Sequence, residues 1–132
     1  METEKETETF LNVPLRFKLF GETIDVVWDN ELSNRDNANG MSNYRYSRIE
    51  LQPNTKAVFR SKEQVEQSYL HEVVHFILEA IQEEKLRTDE KFVELFSKAL
   101  HQVLTTSEYG TVRELPKELV KDVQRLSKLT TK

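Results

Sequence analysis

The 132-residue chain contains no cysteine. That absence excludes a metal site completed by a thiolate and fits a reducing compartment. No apolar run approaches the ~20 residues of a membrane span, and no apolar segment of the secretory type opens the chain. A cytoplasmic protein without a membrane partner is therefore expected. Basic clusters are also missing. The formal net charge is −4, and no basic stripe interleaved with aromatic residues is present, which argues against a nucleic-acid partner. Met1 to Thr9 carry four Glu and one Lys, so −3 of the −4 belongs to this stretch and the remainder is near −1. Residues 1–9 read as a disordered acidic tail. The other residues, 10–132, have room for one domain with a modest core, and they contain no internal repeat.

What is present is a change of hydrophobic period along the chain. Leu15, Phe17 and Leu19 alternate with polar residues, as do Ile24, Val26 and Trp28, with Gly21 between them; this predicts a β-hairpin. Residues 29–43 are rich in Asp, Asn and Ser and read as a loop. Tyr44 to Leu51 form a third candidate strand, its apolar phase shifting between Tyr46 and Ile49 as at a bulge. Ala57-Val58-Phe59 is a short apolar strand or a lead-in. Ser61-Lys62-Glu63-Gln64 has the form of a capping box that starts a long helix. Thr88 is placed as the N-cap of a second helix, expected to pack through Phe92, Phe96, Ala99, Leu100 and Val103. A third helix is expected from Pro116, with Leu115, Leu119, Val123 and Leu126 on one stripe. The pattern is that of a small α+β domain.

Residues 71–75 read His-Glu-Val-Val-His within the first long helix. Such a string arises by chance in on the order of a few per thousand chains of this length at ordinary residue frequencies. Residues four apart share one face of a helix, so His71 and His75 can point two imidazoles at one ion. Glu72 lies about 100° round from His71, positioned to hold a water on that ion without being a ligand. Leu70, Val73, Val74, Ile77 and Ile81 form a core-facing stripe, and the two histidines fall at its edge. A third ligand is required. Without cysteine it cannot be a thiolate, and Leu78 and Ile81 stand where a metzincin continuation requires Gly and His. After the polar connection from Gln82 to Arg87, Asp89 and Glu90 put two carboxylates in the first turn of the next helix. Asp89, Glu90 and Glu94 are the available acids.

His71-Glu72-x-x-His75 followed by Glu90 and Glu94 resembles the gluzincin metallopeptidases, whose pattern is His-Glu-x-x-His with Glu-x-x-x-Asp on the next helix. The resemblance covers roughly residues 66–104. Only fourteen residues separate His75 from Glu90, so the chain looks most like the minimal bacterial and phage-type members, the minigluzincins. The resemblance implies Glu90 as the third zinc ligand and Glu94 as the carboxylate that orients His71. Glu94 departs from the family's Asp. A zincin-like layout is also implied: a short antiparallel N-terminal sheet packed on a zinc-binding helix pair, closed by a C-terminal helix. In that layout an edge strand binds substrate by strand addition, and Tyr44 to Leu51, with Tyr46 and Ile49, is the candidate.

The implied activity is zinc-dependent peptide-bond hydrolysis, with Zn2+ on His71, His75 and Glu90 and a zinc-bound water activated by Glu72. Glu72 accepts the water's proton and passes it to the leaving amine. Tyr109, Tyr46 and His101 are the candidate oxyanion donors. His101 lies eleven residues beyond Glu90, about 16 Å along a helix, and is expected to be structural instead. The implied partner is a protein or peptide substrate. The alternative is a catalytically degenerate domain of the same fold that binds zinc or a partner.

Overall fold

A computed structural model of the chain describes residues 12–110 together with 121, 125 and 126. The expected acidic tail lies outside these residues, as does most of the helix expected from Pro116. Alternating apolar residues build a hairpin from β1 (Arg16–Leu19) and β2 (Glu22–Trp28), paired antiparallel with Phe17 opposite Ile24. Its two-residue connection, Phe20 and Gly21, has φ of 52° and 86°. Two consecutive positive φ values give the turn whose twist matches a hairpin, and glycine adopts one of them without strain.

The segment 29–43, expected as a loop, holds a short helix and a strand. α1 (Leu32–Asp36) buries Leu32, and β3 (Gly40–Asn43) follows it. β4 (Arg48–Leu51) then pairs antiparallel with β3 and parallel with β2, giving the order β1-β2-β4-β3. The sheet is therefore mixed, not antiparallel as expected. The excursion through α1 and β3 carries the chain past the outer edge before β4 returns between its neighbours. The expected strand from Tyr44 begins only at Arg48, because the chain between Tyr44 and Ser47 turns, with Ser47 at φ 53°. Residues 57–59 form no strand.

α2 (Lys62–Ala80) begins at the expected capping box: Ser61 Oγ accepts from the Gln64 N–H, and Gln64 Oε1 accepts from the Ser61 N–H. No glycine or proline interrupts its 19 residues. Two faces are buried against different partners. Tyr69, Leu70 and Phe76 pack on Ile24, Val26, Ile49 and Leu51 of the sheet, while Val74 and Leu78 pack on Val93. Ile81, expected on the buried stripe, is instead the exposed C-cap.

Gln82, at φ 62°, reverses the chain into the single turn α3 (Glu84–Arg87). Thr88, expected to cap the next helix, closes α3 instead, its Oγ1 donating to the Glu84 carbonyl at 3.0 Å. Asp89 is the N-cap of α4 (Glu90–Thr106), accepting from the Phe92 N–H at 3.1 Å. The buried face of α4 is Val93, Ser97 and His101. The predicted stripe is thus displaced: Phe96, Ala99 and Val103 are exposed, and the Phe92 and Phe96 rings stack at 5.5 Å. The inward face instead carries Val93, packed on Val74 and Leu78, and His101, whose Nε2 lies 2.9 Å from Glu66 Oε1, both members of that pair being buried between α2 and α4.

Candidate metal centre

α2 sets the two histidines one turn apart on the side facing α4, and their ring centroids are 5.0 Å from each other. α4 begins alongside them, so its first residue, Glu90, reaches both rings. Glu90 Oε1 lies 3.1 Å from His71 Nε2, and Glu90 Oε2 lies 3.3 Å from His75 Nε2. Donor atoms of the three residues lie within 4.8 Å of one another, a grouping able to hold a metal ion. One turn further along α4, Glu94 Oε1 is 3.2 Å from His71 Nδ1, while Glu94 Oε2 is 3.0 Å from Lys98 Nζ. The ammonium is the main reason the Glu94 carboxyl is held below the usual range. Asp89, an alternative ligand by sequence, spends its carboxylate on the helix cap.

Glu72 points the other way, toward the sheet, and is 7% exposed. Ser42 on β3 donates to Glu72 Oε1 at 2.7 Å. Gly40 on the same strand leaves the room Glu72 needs: a Cβ there would stand 3.1 Å from both Glu72 Cγ and Oε2. Burial pushes the Glu72 carboxyl above its ordinary value; the Ser42 hydroxyl and the two imidazoles oppose this, and the Glu90 charge adds to it. The result is a dry carboxylate beside the metal-binding group, favoured to take up a proton.

A cavity of about 460 Å³ runs from His71 and Glu72 toward the N-terminal end of α2. No protein-family model matches the chain, nor does any curated protein or any solved structure. The chemistry of the site rests on its geometry alone.

Other residues singled out by sequence lie elsewhere. Ile49 is fully buried in β4, an interior strand with partners on both sides, so Tyr44 to Leu51 offers no free edge. Tyr46 sits in the β3–β4 turn, exposed beneath the guanidinium groups of Arg45 and Arg48. Among the described residues, the edge of the sheet facing α2 belongs to β3. Tyr109 is 84% exposed, beyond Ser107 at the C-terminal end of α4, whereas Glu90 opens that helix. Seventeen residues of helix put the two ends about 25 Å apart, so Tyr109 is not brought to the cluster. His101 serves the pair with Glu66, as expected of a structural residue.

Sequence reasoning missed Ser42, Gly40 and Lys98. The i, i+4 spacing of Glu94 and Lys98 was the one available signal among them.

Proposed function

We propose that the protein is a gluzincin-type zinc peptidase, with His71, His75 and Glu90 as ligands and Glu72 as general base. The observation that carries this reading is the convergence of both Nε2 atoms on one carboxylate beside a buried, unligated glutamate. Ligand atoms about 2.05 Å from a tetrahedral zinc lie about 3.3 Å from one another. The 3.1 and 3.3 Å separations are near that edge but involve different oxygens of Glu90, one donor atom from each residue lying within 4.8 Å of the others; two imidazoles with one carboxylate are a donor set suited to zinc. Zinc bound there supplies Lewis acidity toward a water and the scissile carbonyl.

The chain's own residues do the rest. Glu94 accepts from His71 Nδ1–H, fixing the tautomer that presents Nε2. Ser42 holds one oxygen of Glu72 and leaves Oε2 to take a proton from the attacking water and return it to the leaving amine. β3 is an edge strand among the described residues, and an extended peptide would add to it as a fifth strand beside Glu72. A second reading, metal binding without turnover, is favoured by one fact: neither Tyr109 nor His101 is brought to the cluster as an oxyanion donor.

Glu72→Gln separates the two. It preserves shape and all three ligands but removes the proton acceptor. On an unstructured protein substrate near neutral pH, at matched zinc content, activity should fall about a hundredfold to ten-thousandfold. Zinc-loaded wild type without turnover on any peptide pool would establish the non-catalytic reading. Equal activity in both forms would refute the role of Glu72.

A further inference from the structure

The far end of the cavity beside Glu72 contains a buried cation with no anion among the described residues. Arg60 is 6% exposed and lines that cavity. Its Nη1 donates to the carbonyls of Gln52 at 2.9 Å and Asn39 at 3.4 Å; its Nη2 donates to the Gln64 carbonyl at 2.9 Å and to Ser68 Oγ at 2.6 Å. All four acceptors are neutral. Among the described residues no carboxylate lies within ion-pair distance of Arg60. A buried charge is ordinarily matched by an opposite one, since neutral acceptors do not restore what water gave it.

The neighbouring wall groups have the same bias. Gln64 Oε1 is engaged by the Ser61 N–H, and Asn39 Oδ1 by Ser33 Oγ, so the unengaged end of each amide is its NH2 group. Ser68 Oγ already accepts from Arg60, leaving its hydroxyl hydrogen to donate. The cavity is therefore polarised. Its acidic end is at Glu72 and at Glu94, whose carboxylate is paired with Lys98; its donor end, at Ser68 and Gln64, lies one to two helical turns from Glu72, about 6–12 Å.

We propose that this donor end binds a carboxylate of the substrate, supplied either by an Asp or Glu side chain or by the peptide's own C-terminus. One or two residues of extended peptide, at about 3.4 Å each, plus a side chain, span the distance from a bond held at Glu72. A carboxylate there would accept from Ser68 and the Gln64 amide and would balance the Arg60 charge. The identity of the ligand as a peptide rests on the peptidase reading.

The test reads binding, so that hydrolysis is not needed. Zinc-loaded Glu72→Gln protein is titrated by NMR with blocked dipeptides: Ala-Glu amide against Ala-Gln amide, and Ala-Ala free acid against Ala-Ala amide. The carboxylate member of at least one pair should bind about 10- to 100-fold more tightly, as a charge-assisted hydrogen bond gives. A preference in the first pair assigns the side chain as source, and one in the second assigns the C-terminus. Arg60 holds several segments together, so removing it risks the fold. Ser68→Asp avoids this by giving Arg60 an internal anion at its existing contact. That variant, combined with Glu72→Gln, should melt no lower than Glu72→Gln alone and bind both members of each pair equally. Equal binding within both pairs in Glu72→Gln, or a preference that survives Ser68→Asp in folded protein, would overturn the proposal. A wild type that binds as expected but hydrolyses nothing would refute the peptidase reading and leave this one standing.

Discussion

Glu90 and Glu94 sit one turn apart on α4 and both touch His71, yet they touch it differently. Glu90 reaches the Nε2 atoms of both histidines; Glu94 reaches only Nδ1 of one. Removal of an outer carboxylate typically costs about 10–100-fold in metal affinity. Glu94→Gln should therefore weaken zinc binding by about that factor, and Glu90→Ala by more, in competition with a chelator. The reverse order would make Glu94 the ligand. Helical spacing alone put the two histidines on one face and left Asp89, Glu90 and Glu94 as the acids in reach; the division between Glu90 and Glu94 came only from the family resemblance. Ser42 was not legible, because its role depends on a strand that reaches Glu72 from thirty residues away. A different residue contributes to stability at alkaline pH. Tyr69 is buried in the main core, and burial pushes its hydroxyl up to about 12. An unfolded tyrosine ionises near 10. The native state thus favours the neutral form, a contribution complete below about pH 10 and lost as pH rises toward 12. The urea midpoint should fall over that window in wild type and fall less in Tyr69→Phe.

At the scale of elements, the sequence was most informative where local chemistry decides structure. The capping box at Ser61 and the alternation of Ile24 and Val26 led directly to α2 and the hairpin. β3 was invisible because Gly40-Met41-Ser42-Asn43 has little strand propensity; its ladder with β4 and the Ser42 bond to α2 hold it instead. The rotation of α4 was equally hidden. Apolar periodicity pointed to Phe92, Phe96 and Val103, but the inward face carries Val93 and also His101, which meets Glu66 35 residues away in sequence. Glu66 is 1% exposed, and its second oxygen, Oε2, has no partner among the described residues. Taking His101 away would leave the carboxylate buried without a donor. His101→Ala should cost about 3–5 kcal/mol, read as a lower urea midpoint at unchanged slope. The double replacement Glu66→Leu with His101→Leu should recover most of that loss, since apolar residues replace such pairs at little cost. A double variant as unstable as His101→Ala would mean that the pair contributes more than charge compensation.

For the whole molecule, the metal-binding group is one of several ties between α2 and α4 among the described residues, with the Glu94–His71 contact and the packing of Leu100 on the main core beside it. Two that lie apart from the histidines are the Val74, Leu78 and Val93 cluster and the Glu66–His101 pair. Neither depends on an ion, so the apoprotein should remain folded, with α4 still docked. What a bound ion adds is preference for the native state, because His71, His75 and Glu90 come together only there. A ligand held at a hundred times its dissociation constant stabilises by about 2.7 kcal/mol. For a chain of this size that corresponds to roughly 10 °C in Tm. Chelation should therefore lower the melting temperature by about that amount without abolishing the cooperative transition. Added zinc should restore it and added magnesium should not, since magnesium demands six oxygen-rich positions that two imidazoles and one carboxylate do not supply. The same experiment on Glu90→Ala should show a much smaller shift, because the contact between the helices through the ion is gone while the apolar tie remains. An apoprotein melting at the same temperature as the zinc-treated protein would show that the three side chains hold no ion of consequence. Equal restoration by magnesium would show that the site selects charge alone, and the zinc chemistry proposed for Glu72 would have no foundation.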